Sequence, residues 1–104
     1  MGATTFTDLS RSPTSDSAFE SLVQEAQYQY GHNGYTGTIA EKHTFTMASE
    51  TPLKMQNAYD LAHSLLDTEY NSKWGPAGCI EIISEPKSKD QTDKLFLFFG
   101  WASE

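Results

Sequence analysis

Lys94-Leu95-Phe96-Leu97-Phe98-Phe99-Gly100-Trp101 is the stretch that decides the fold. Successive side chains of a strand point to opposite faces. Residues 95 to 99 are apolar without a break, so a strand built from them is apolar on both faces. Such a strand must be central, or covered on its second face. Left open, it would drive aggregation.

Moving outward, Gly78-Cys79-Ile80-Glu81-Ile82-Ile83 reads as a second strand, with Ile80 and Ile82 toward the core. Residues 84 to 93 contain no apolar side chain except Pro86 and read as a solvated loop, long for a hairpin.

Two helices precede these strands. Ser17-Ala18-Phe19-Glu20 has the form of a capping box, and Phe19, Leu22, Val23, Ala26 and Tyr30 make one helical stripe. Gly31 suits the end of that helix, and Asn33-Gly34 a turn. The second helix follows Thr51-Pro52, a cap and a first helical residue. Its stripe is Met55, Ala58, Tyr59, Ala62, Leu65 and Leu66. Between the helices, residues 35 to 47 carry Thr36, Thr38, Thr44 and Thr46 opposite Tyr35, Ile39, Phe45 and Met47, a period of two. Thirteen residues is long for one strand. A bend, bulge or split is expected near Gly37 or around Ala40 to Lys42.

Together these readings predict a small α+β domain of two layers. Two helices would pack on one face of a mostly antiparallel sheet of three to four strands, in the order α-β(β)-α-β-β. Residues 17–104 form that domain. Residues 1–16, rich in Thr, Ser and Asp, read as a flexible or loosely packed arm, with Thr4-Thr5-Phe6-Thr7 a short edge strand at most.

The 104 residues include 14 acidic and 7 basic side chains, a net charge of −7. Phosphate contacts need clustered Lys and Arg. Here the only Arg is Arg11, and Lys87, Lys89 and Lys94 are interleaved with Asp90 and Asp93. Direct binding to nucleic acid or to an anionic membrane is therefore not expected. The lone Cys79 excludes an internal disulfide and favours a reducing, cytoplasmic setting. Residues 1 to 4 lack the basic head and apolar run of a signal peptide, and none is expected.

Few residues carry a chemical signal. On a regular strand Glu41 and His43 would share a face, the geometry of a base with its orienter or of two metal ligands. The competing reading is a turn at 41 to 43 that releases both to solvent. His32 lies in a glycine-rich loop that lacks the Lys and the spacing of a phosphate-binding loop. Around it Tyr28, Tyr30 and Tyr35 could form an aromatic contact patch. Asp60, Asp67 and Glu69 supply carboxylates on and after the second helix, and Trp74 sits in a Gly/Pro turn as a plug or an exposed anchor. His32, His43, His63 and Cys79 are too scattered for a metal site. No cofactor and no catalytic residue is assigned.

The favoured expectation is a non-enzymatic interaction protein. It would bind and occlude or modulate a basic partner protein, one class being nucleic-acid-binding proteins, through Tyr28, His32, Tyr35, Glu41, His43, Asp60, Asp67, Glu69 and Trp74. The alternatives are a small enzyme or ligand-binding domain centred on Glu41 and His43, and an assembly subunit joining copies, as in a homodimer, through sheet edges.

Overall fold

The computed structural model describes residues 2–31, 36–83 and 94–104. Along the chain these form β1 (Ala3–Ser12), α1 (Ser15–Tyr30), a single 3-10 turn (Ile39–Glu41), β2 (Phe45–Met47), α2 (Met55–Leu66), β3 (Ala77–Ile82) and β4 (Lys94–Ser103). The strands make one sheet in the order β1-β4-β3-β2. Strand β4 runs antiparallel to both neighbours, and β2 is parallel to β3. The molecule is thus a small α+β domain with two helices packed on a mixed sheet.

The doubly apolar stretch sits inside the sheet, as its composition requires. Phe96 and Phe98 face one core with Phe6, Ala18, Ala26, Ile39 and Cys79. Leu97 and Phe99 face the other, with Ala58, Ala62, Leu66, Ile80 and Ile82. Phe19 of α1, Phe45 of β2 and Phe98 of β4 close a triangle with ring centroids 5.0 to 5.6 Å apart. On the far face Tyr70 stands edge-on to Phe99 at 5.1 Å, and the Trp101 indole donates to the Leu66 carbonyl at 2.8 Å.

Each helix therefore covers its own face, and one particular of the expected arrangement changes: the two helices do not share a side. The reason is topological. Strands β1, β2 and β3 run parallel to one another, since β4 reverses between β1 and β3. The connection through α1 crosses the sheet from β1 to β2, and the connection through α2 returns toward β3. Two crossovers of the same hand that travel in opposite directions must lie on opposite faces.

Three local readings also change. The loose arm expected over residues 1–16 is corrected, because Ala3–Ser12 pairs with β4 residue for residue, Ala3 with Ser103 through to Ser12 with Lys94. A central strand needs a partner on each edge, and this Thr-rich segment supplies the second one. Helix α1 starts two residues before the expected cap. The Thr14 hydroxyl accepts from the Ser17 amide at 3.2 Å, and the Ser17 hydroxyl bonds to Ser12 and Thr14, so Ser17 lies within the first turn. Helix α2 starts later than the Thr51-Pro52 signal. Leu53 takes the Glu81 carbonyl at 2.9 Å and gives its own to Ile83 at 2.8 Å, extending the parallel ladder past β2. The thirteen-residue strand breaks where a bend was expected, with the 3-10 turn at Ile39–Glu41 and only Phe45–Met47 left as strand. Gly31 ends α1 at φ 90°, as read. The loop readings over 32–35 and 84–93 lie outside the described residues.

Gly78 shows how tightly β3 and β4 meet. A methyl group there would stand 2.3 Å from Cζ of Phe99, whose ring lies across the glycine. Gly78→Ala should therefore cost about 1–3 kcal/mol by overpacking. Urea denaturation checks this, and combining it with Phe99→Leu should recover part of the loss.

Candidate functional site

The residues singled out from the sequence do not converge. Glu41 ends the 3-10 turn, and its carboxylate accepts from the Thr36 hydroxyl at 2.8 Å, the Thr36 amide at 3.3 Å and the Ser103 hydroxyl at 3.4 Å. His43 follows the turn, is exposed, and borders Phe19, Glu20 and Val23 of α1. The turn reading, in which both groups are released to solvent, holds for His43 alone: Glu41 is half-buried and held by Thr36 and Ser103, because the 3-10 turn folds its carboxylate back against them. Tyr28 is 91% exposed on α1, whereas Asp60 is exposed on α2, on the other side of the sheet. Asp67 and Glu69 are exposed after α2. His32 and Tyr35 lie outside the described residues.

Trp74 is the exposed member of its pair of readings. It is 72% accessible, with the Lys73 ammonium 5.2 Å from its ring centroid. The turn that presents it is held from below by Lys42, a residue the sequence did not mark. Lys42 is only 3% exposed and donates to the carbonyls of Gly75 (2.7 Å), Lys73 (3.2 Å) and Ser72 (3.4 Å). Burial pulls its ammonium below the ordinary lysine range. The three carbonyls replace water around the charge, so Lys42 acts as the turn's internal clamp.

The feature that sequence reading missed lies between β1, α1 and the 3-10 turn. A cleft of about 340 Å³ opens there, with Phe6, Leu22 and Ile39 among its apolar walls and Tyr30 at one end. Asp8 and Glu25 enter it from opposite walls, the first half-buried, the second exposed. Burial raises the Asp8 pKa above the ordinary carboxylate value, and the nearby Glu25 carboxylate raises it further. Among the described residues no cation pairs with either; the one ion pair between described residues joins Lys94 to Glu81 at 3.8 Å. The available signal was the alternation of Phe6 and Asp8 with Thr5, Thr7 and Leu9, hidden because both sets are largely polar.

Other chemistry is weakly supported. Cys79 is fully buried, and its thiol is pushed up to about 12 by burial and by Glu81, the opposite of an activated nucleophile. Among the described residues no group of three His, Cys, Asp or Glu side chains is placed to hold a metal ion. No helix among them is long and apolar enough to cross a membrane. Comparison of the chain with family models, with curated proteins and with solved structures finds no match to any of them.

Two outcomes follow from the charges. Asp8 has a folded-state pKa above its unfolded value, so its ionisation opposes folding. That penalty is absent below the ordinary carboxylate range and full above the raised pKa. Asp8→Asn should therefore raise Tm by about 2–5 °C at neutral pH, with the gain vanishing in acid; an unchanged neutral-pH Tm would show that the carboxylates do not repel. Lys42→Met keeps the apolar stem but strands three carbonyls. It should cost about 1–3 kcal/mol in urea denaturation and speed amide exchange across residues 72 to 75.

Proposed function

We propose that this chain is a non-enzymatic interaction domain that binds a partner protein through a basic surface of that partner, and so occludes or modulates it. The observation that carries the reading is the cleft with Asp8 and Glu25 on its walls and, among the described residues, no cation paired with either. The repulsion that the Glu25 carboxylate exerts on Asp8 would be relieved by a cation from outside. A Lys or Arg side chain on a partner fits best, because its stem matches the apolar walls while its head meets the carboxylates. The net charge of −7 adds a long-range field that favours encounter with basic surfaces. Tyr28, Tyr30 and Trp74 offer exposed aromatic area of the kind that anchors interfaces. A nucleic-acid-binding partner is one member of this class, its phosphate-binding face being the basic surface in question.

The test uses the immobilised chain and a panel of purified proteins of graded isoelectric point. Binding should be confined to the basic members and fall steeply as salt is raised. It should also weaken about tenfold or more when Asp8→Asn and Glu25→Gln are combined. Retention that ignores both salt and these two substitutions would sink the reading.

A further inference from the structure

Strand β1 is an edge of the sheet, and its outer side is ten residues long. The direction of its backbone groups follows from the pairing. Gly2 and Glu104 exchange both backbone hydrogen bonds, at 3.3 and 3.1 Å, so the even-numbered residues of β1 bond inward to β4. The odd-numbered ones, including Thr5, Thr7 and Leu9, aim their amides and carbonyls away from the sheet. At Thr5, Thr7 and Leu9 no bond from another described residue meets these groups. The side chains of Thr5, Thr7 and Leu9 are themselves exposed. Unpaired strand edges are templates for another strand.

The same edge runs along the acidic cleft. We infer that an extended segment of a basic partner adds to β1 as a fifth, antiparallel strand, with a Lys or Arg opposite Asp8 and an apolar residue two positions later opposite Phe6. This rests on the reading given under Proposed function and names the form of the partner. Asp8 bonds inward, so its neighbour on an added strand falls in a non-hydrogen-bonded pair, the closer of the two antiparallel types. That places the guest cation beside Asp8 and within reach of Glu25 on α1. Phe6, two residues earlier on the same face, offers an apolar contact to the next inward-facing guest residue.

A second copy of this chain is the competing occupant, since its own β1 has the same free edge. Charge argues against it. An antiparallel β1-to-β1 pairing sets a two-fold axis perpendicular to the sheet, which puts both α1 helices on one side. Two copies of Asp8 and Glu25 would then line one seam, between molecules of net charge −7 each. A basic segment reverses the sign of that interaction.

The probe is a fluorescent peptide with the core Thr-Lys-Thr-Val-Thr, titrated into the whole chain and followed by anisotropy and by amide exchange. Saturable binding is expected, with slowed exchange at Thr5, Thr7 and Leu9. Methylating the peptide's edge-bonding amides, changing its Lys to Glu, or combining Asp8→Asn with Glu25→Gln should each weaken binding about tenfold or more. Asp8→Asn removes a repulsion from the folded state, so a folded variant is available. Absence of binding, or protection mapped away from β1, overturns the inference. So does protection of the same amides by self-association that rises with protein concentration without peptide. If basic proteins are still captured in a salt-sensitive way while the peptide fails, strand addition alone is refuted. If both fail, the reading beneath it falls too.

Discussion

Strand β4 has no polar face, and the rest of the molecule is arranged around that constraint. Phe96 and Phe98 need cover on one side, Leu97 and Phe99 on the other. Its backbone, buried from both faces, needs a paired strand on each edge. Four requirements therefore arise from one ten-residue segment, and β1, β3, α1 and α2 answer them one each. The narrowness of the helices' buried surfaces follows. Helix α1 meets the sheet through Ala18 and Ala26, α2 through Ala58 and Ala62, all close to fully buried. Small residues let each helix approach closely, while the large rings of the sheet fill the layer between.

How much of this was legible depends on whether the signal was local. The doubly apolar run at 95–99, the strand ending in Ile80 and Ile82, and both helical stripes were readable, because burial imposes a period that a single segment displays. The assignment of helices to faces was not. Periodicity says that β4 has two apolar faces but not which helix covers which; that depends on strand order, a long-range property. Strand β1 was missed for a related reason. Only Phe6 and Ser12 are buried within it, so its polar sequence resembles a loop, and it is a strand because β4 pairs with it. Thr51-Pro52 is the converse case, a good local signal for a helix start overridden by the pairing of Leu53 with Ile82. Asp8 became a candidate only once β1 and α1 were known to be adjacent.

Three of the described cations are engaged away from the cleft. Lys42 is enclosed by three carbonyls, Lys73 lies over Trp74, and Lys94 reaches Glu81. Each of these three has a partner elsewhere in the fold, and none lies on the walls of the cleft. Lys42 shows that the fold can bury a cation where the geometry supplies acceptors. Among the described residues no comparable set of acceptors and cation is assembled beside Asp8.

A charge beside an open strand edge has a simpler use, which is to stop unwanted pairing. Inward-pointing charged side chains are a known protection for exposed edges. That explanation accounts for Asp8 alone. It does not require a second carboxylate on another element, and α1 could present a neutral residue at position 25 without weakening the protection. Glu25 worsens the repulsion that Asp8 feels. Repulsion is also selective by sign: two carboxylates oppose an acidic segment, and a second copy of the chain with its own Asp8 and Glu25, but attract a basic one. On the proposed reading the two carboxylates that guard the edge would also select the guest, guarding and recognition being one electrostatic property met by opposite charges.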